Sequence, residues 1–187
     1  MTDSVASPIV AGRKCGSCTL CCKVMSIGEI GKPRGAWCKH CHVGVGCRIY
    51  ADRPDECRAF HCGYLTLSTL SEDWFPAKAK IVLTADSKGT RLAAHVDPSR
   101  PDAWRAEPYY SQLKQWARLA APEQGQVVAI TGGRTIVILP DKDVDLGIVG
   151  EDELILTEER ATPFGIKFDA LKIKKDDPRA SRLGASG

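Results

Sequence analysis

The chain is 187 residues long, with 26 basic and 23 acidic side chains spread along its length and a formal net charge of +3. That balance excludes the single-sign field that draws a protein to nucleic acid or to an acidic membrane, so neither is expected as a partner. Apolar residues make up 43% and aromatic ones 6%, enough for one compact domain, or a small metal module joined to a second small domain, with a modest core that a metal can help hold.

The opening stretch MTDSVASPIVAGRK has no basic segment followed by an apolar run, so no secretory signal is read there, and no segment reaches the roughly 18 apolar residues that span a bilayer. Residues 1–14 carry no periodic pattern and read as a flexible arm. The compartment these features imply is the cytoplasm. There thiols stay reduced, and a cysteine-rich segment holds metal rather than disulfides.

Residues 15–75 read as a cysteine-cluster metal-binding module. All nine cysteines fall here: Cys15, Cys18, Cys21, Cys22, Cys38, Cys41, Cys47, Cys57 and Cys62. A two-residue gap lets a tight turn bring two sulfurs close enough to share one ion. Cys15, Cys18 and Cys21 are therefore expected at one centre, a run like the cluster-wrapping loop of bacterial ferredoxins without its Cys-Pro ending. Adjacent side chains diverge, so Cys22 is expected to face elsewhere, in a second site, a bridging role or as a free thiol. The Gly- and Pro-containing loop 23–37 lets the chain return, and the later cysteines, especially Cys38, Cys41, Cys57 and Cys62, are expected to meet the early ones and complete that centre or form another. His40, His42 and His61 stand by as substitute ligands. Asp52 is read as the N-cap of a short helix with Pro54 near its first position and Asp55 and Glu56 in its first turn. A thiolate beside that helix end, with Arg53 and Arg58 near it, is expected to have its pKa lowered.

The second half, residues 76–173, contains no cysteine and reads as a small α+β domain. KIVLTAD (80–86) and TRLAAHVD (90–97) form a hairpin around Ser87, Lys88 and Gly89. Within the second strand, His95 is expected to be a surface or core residue rather than a ligand. One helix is predicted from Pro108, at its first position, to about Leu119, with Tyr109, Leu113, Trp116 and Ala120 on one face. The aromatic group Trp104, Tyr109, Tyr110 and Trp116 reads as core packing. QVVAIT (126–131) and RTIVILP (134–140) flank Gly132 and Gly133, which suit a tight primed turn rather than a phosphate loop, because no Walker lysine and serine follow. DLGIVG and ELILTEER add one or two short strands. The polar end, 174–187, reads as a disordered tail. The whole is α+β, a cysteine-rich metal module followed by a small antiparallel β-sheet domain with one main helix.

CGSCTLCC followed by GCRIYADRPDECRAFHCGYL resembles the CxxCxxCC, or YkgJ-type, family of zinc- or iron-chelating cysteine cluster proteins. Gly46, Cys47, Ile49, Tyr50, Arg53, Pro54, Cys57, Arg58, Phe60 and Cys62 carry the second half of the match, which covers residues 15–65. The resemblance implies zinc or iron chelation by the cysteines, and kinship with the cluster-bearing part of flagellin lysine methylases. No methyl-donor site is visible, so that activity is not carried over. Tandem CxxC spacing suits an iron–sulfur cluster and mixed Cys and His surroundings suit zinc, so both metals stay open. The expected function is metal binding, with the second half acting as a scaffold or a surface for docking a protein partner. The alternatives are an iron–sulfur redox component passing electrons to a partner or substrate, and metal storage or delivery. No catalytic residue is assigned.

Overall fold

The structure, a computed structural model, describes residues 9–86 and 89–183. The expectations for residues 1–8, for Ser87 and Lys88 of the first hairpin, and for 184–187 lie outside the described residues. The cysteine-bearing segment is mostly turns and loops. It holds α1 (Cys21–Val24), the two-residue strands β1 (Cys41–His42) and β2 (Gly46–Cys47), α2 (Asp55–Ala59), α3 (Gly63–Thr66) and α4 (Pro76–Ala79).

A five-stranded sheet follows, built from β3 (Ile81–Ala85), β4 (Arg91–Val96), β5 (Gln126–Thr131), β6 (Arg134–Ile138) and β7 (Asp143–Ile148) in that spatial order. The main helix α5 (Tyr109–Ala120) joins β4 to β5, and because it crosses back over the sheet those two strands run parallel. The other three ladders are antiparallel, so the expected α+β class holds with a mixed sheet. Gly132 and Gly133 make the β5–β6 turn at φ 54° and 87°, the left-handed values a primed turn requires. Pro108 sits one place earlier than predicted, at the N-cap of α5. Among the described residues no helix is long and apolar enough to cross a membrane.

Alternation along the strands feeds both faces of the sheet. One face packs Ile81, Leu83, Ala94, Val127, Ala129 and Ile138 with Leu113, Trp104 and Tyr109, and also with Leu20, Val24, Cys62, Tyr64, Leu65 and Trp74 of the cysteine segment. The boundary near residue 75 is therefore a change of composition that the core crosses. Trp104 and Tyr109 are buried as expected, and Tyr110 and Trp116 pack against the same cluster. The other face packs Ala93, Val128, Val137 and Leu139 under a ribbon of β8 (Glu153–Thr162) and β9 (Gly165–Lys174). The tip of that ribbon leaves Phe164 94% exposed.

Both ends depart from the sequence reading. Residues 9–14 of the supposed arm are docked: the Val10 amide donates to Leu65 O at 2.8 Å, and the Arg13 guanidinium donates to the carbonyls of Tyr64 (2.6 Å), Leu67 (2.7 Å) and Leu70. It also lies 4.6 Å from the centre of the Tyr64 ring. Those carbonyls lie at and beyond the end of α3, a helix too short to satisfy them, and a guanidinium can serve several at once. The polar tail also takes form, in a 3-10 turn over Pro178–Leu183, with the Lys175 amide donating to Asp152 O at 2.9 Å. Arg13→Ala should cost roughly 1 to 3 kcal/mol and speed tryptic cleavage after Lys14 several-fold; an unchanged cleavage rate would contradict the docked arm.

Candidate metal centre

Two-residue gaps form the turns expected of them. The Cys18 amide donates to Cys15 O at 2.9 Å and the Cys41 amide to Cys38 O at 3.0 Å. The early and late runs meet, because the Cys38 amide donates to Cys22 O at 2.9 Å and β1 pairs with β2 so that Cys41 lies opposite Cys47. All nine cysteines are free thiols.

Cys22 is raised far above the usual thiol value, first by the neighbouring Cys21 and then by burial, while Cys41 and Lys32 act to lower it. Cys21 and Cys22 both lie on α1, where successive side chains turn by about 100°. Burial, then Cys22, pushes Cys41 up to about 11. Cys57, on α2, is raised by burial first and then by Cys22, Cys38 and Cys47. On the other side, Cys15 is raised by burial and then by Cys18 and Cys22. Cys18 is raised by burial and by Cys22, against the lowering effect of the Leu20 and Ala77 amides. Cys62, buried, is raised by burial and by Cys15 and Cys18. Cys18 and Cys21 both pack against the core cluster that contains Cys62.

The expected lowering of thiol pKa values is reversed as well. Arg53 does act downward on Cys15 and Cys57, but burial and neighbouring thiols outweigh it. Nor is the start of α2 open to a thiolate. Pro54 is its N-cap in place of Asp52, and the Glu29 carboxylate accepts from the Asp55 (3.1 Å) and Glu56 (2.7 Å) amides. Glu56 in return accepts from the Gly28 (3.1 Å) and Glu29 (3.2 Å) amides. This reciprocal pair ties the 23–37 loop to the late cysteine segment. Arg58 is spent on the carbonyls of Arg53 and Ala51, each at 2.9 Å.

Residues the sequence did not single out frame the thiols. Lys32 is 6% exposed and donates to the carbonyls of Lys23 (2.8 Å) and Met25 around the end of α1. Burial pulls its pKa down, while Cys22, Cys38 and Cys21 pull it up, so its ammonium is a cation set against the thiol group. A lone lysine in a glycine-rich loop gives no periodic signal for this. Buried Thr19 accepts from the Gly44 amide at 3.1 Å and its hydroxyl lowers Cys41 against burial; a hydroxyl inside a CxxC gap was the available cue. Lys23 donates to Asp97 (2.6 Å) and Ser99 (2.6 Å), holding α1 on the end of β4. Of the substitute ligands, His61 has a buried Nδ1 without a hydrogen-bond partner among the described residues, while His42 is exposed and His40, in the turn before β1, is half-buried. His95 is buried and engaged elsewhere, with Arg34 and Thr84.

In donor chemistry this is a soft, thiol-rich group suited to zinc or iron. Among the described residues no three His, Cys, Asp or Glu side chains stand at the spacing of a ligand shell, so the thiols are gathered without being closed on one point. A cleft of about 890 Å³ lies between the end of α5 and the β8–β9 ribbon and is lined by no cysteine. No protein-family model, curated protein or solved structure matches the chain.

Proposed function

We propose that this chain is a metal-binding protein that chelates zinc or iron, the iron as an ion or as an iron–sulfur cluster, through Cys15, Cys18, Cys21, Cys22, Cys38, Cys41, Cys47, Cys57 and Cys62. The supporting observation is the convergence of the early and late cysteine runs on Cys22, which an ordinary core does not need. Thiols crowded and partly buried with raised pKa values are poorly served by water and by each other, and an ion that takes their protons' place relieves both. When bound, the metal would cross-link loops that have little regular structure of their own. The motif resemblance to the CxxCxxCC family points the same way, as does a cytoplasmic setting in which free thiols persist. A protein partner receiving metal or electrons fits this reading.

An all-thiol neighbourhood around Cys22 favours a second reading, an iron–sulfur component that passes electrons. Anaerobic purification in reductant followed by metal analysis and a visible spectrum separates the two. Stoichiometric zinc and no colour fits the first, and broad absorption that bleaches on reduction fits the second. Under either, removal of the metal with a chelator should raise thiol-reagent accessibility and lower the melting temperature. A folded, fully reduced protein that takes up neither metal at micromolar concentration refutes the proposal.

A further inference from the structure

The outer half of the β8–β9 ribbon projects from the body. From Glu158 to Asp169 every residue except Thr162 and Phe168 is exposed, so five cross-strand pairs, roughly 15 Å of ribbon, stand clear. At the tip Phe164 is 94% exposed, and Ile166 beside it 57%. Thr162 shapes the turn that presents the ring: its hydroxyl donates to Gly165 O at 2.6 Å and accepts from the Phe164 amide at 3.2 Å.

Charge on the ribbon is as unbalanced as its apolar surface. Arg160 and Lys167 lie directly opposite each other in the register, two like charges on one face, an arrangement that destabilises the ribbon carrying it. Among the described residues neither meets a carboxylate. The acids two pairs further in, Glu158 and Asp169, are engaged by Arg179 at 3.8 Å and Lys142 at 3.1 Å. The cleft of about 890 Å³ begins where the ribbon leaves the body and runs out along it to Arg160 and Lys167. Its apolar floor includes Val127, Val137, Leu139 and Phe168, and Asp141 and Glu159 line it with no cation engaged among the described residues.

We propose that the ribbon is a dimerisation arm: two copies of the chain lie with their ribbons antiparallel about a twofold axis, each Phe164 tip on the apolar floor of the other copy's cleft. Antiparallel arms put each tip at the other's base, where the cleft is, so one geometry satisfies both tips and closes the assembly at two copies. Arg160 and Lys167 of each copy then face Asp141 and Glu159 of the other, which pairs all four charges that the single chain leaves unpaired. The turn around Phe164 is already formed in the single chain, so docking orders little that was loose. The open edges of a two-stranded ribbon, which invite pairing with other chains, gain a defined neighbour. An anionic membrane would suit Phe164, Ile166 and the two cations, but it would be repelled by Glu158, Glu159 and Asp169 just behind them and would leave the cleft unused. The arm carries no cysteine, so this pairing is separate from the metal-binding reading.

Sedimentation of the full chain, in reductant so that cysteines cannot cross-link copies, should show a monomer–dimer equilibrium at micromolar concentration and no larger species. Phe164→Asp should weaken the dimer by about 30-fold or more with an unchanged circular dichroism spectrum. The most specific arm of the test exchanges charge. A chain with Arg160→Glu and Lys167→Glu, and a second chain with Asp141→Lys and Glu159→Lys, should each be monomeric. Their equimolar mixture should recover the dimer, because each tip then meets a cleft of opposite sign. A wild-type chain that stays monomeric at high micromolar concentration overturns the proposal, whether or not the variants fold. So does a mixture that stays monomeric while both variants keep the wild-type circular dichroism, and so does growth of the wild type into open-ended species. Binding of a monomeric wild type to vesicles of anionic phospholipid, lost in Phe164→Asp, would also overturn it and assign the tip to a membrane surface.

Discussion

Replacing Trp74 with alanine should remove about 3 to 5 kcal/mol of stability, a large part of the roughly 5 to 15 kcal/mol that holds a typical domain together. The indole is 1% exposed. It packs edge-on to Tyr109 with ring centres 5.0 Å apart, lies against Trp116 at 5.2 Å, and donates from Nε1 to Gln112 Oε1 at 2.5 Å. Truncation thus opens a large cavity and leaves the Gln112 carbonyl without its donor. The melting temperature should fall by roughly 10 °C or more. Trp74→Phe, which keeps most of the volume, should lose markedly less. Trp74 belongs to the segment before the sheet and packs on α5, so thiol-reagent accessibility of the cysteines should rise in the same transition that melts the sheet. Two separate transitions would show that the shared core does not couple them.

Stability should also fall as the solution is acidified from pH 8 to pH 5, by about 2 kcal/mol from His95 alone. Burial first, and then Arg34, holds the His95 imidazole down to about 3, against 6.5 for the free side chain. An arginine can only donate, so Nδ1, 2.6 Å from Arg34, must accept, which leaves the proton on Nε2 to donate to Thr84 Oγ1 at 2.9 Å. The folded-state pKa lies below the unfolded one, so below about 6.5 the unfolded chain binds the extra proton and the folded chain does not. The loss begins near pH 6.5 and continues down to about pH 3. Carboxylates with depressed values, such as Asp97 and Asp86, add their own loss only at lower pH, which leaves the range above pH 5 to the histidine. Urea unfolding across that range should show a slope in the wild type that is flattened in His95→Gln. Identical slopes would mean that the imidazole charges freely in the fold.

Local chemistry made some elements readable from the chain and long-range geometry hid others. The β5–β6 hairpin follows from two glycines between β-branched runs, and α5 from apolar spacing closed by Pro122. The parallel β4–β5 pairing joins residues about 35 apart and has no local signal. β9 was missed because its buried residues, Ala170 and Ile173, lie three apart, a spacing that suggests a helix as readily as a twisted strand. The cysteines were plain as a set but their grouping was not. Spacing shows that two-residue gaps make turns, but the meeting of Cys38 with Cys22 depends on the loop between them folding back, which no local pattern shows. The Glu29 and Glu56 pair depends on two loops meeting, which no window of sequence contains.

Because the cysteine segment completes its core on strands that come later in the chain, order of synthesis separates the appearance of the thiols from the appearance of their walls. When Cys62 is added to the growing chain, the partners that bury Leu20 and Cys62, among them Ile81, Leu113 and Ile138, have yet to be made. At roughly 5 to 20 residues per second, that interval lasts some seconds. During it the cysteine segment lacks the strands that bury Leu20 and Cys62, so its thiols are open to the surrounding solution before the fold closes over them.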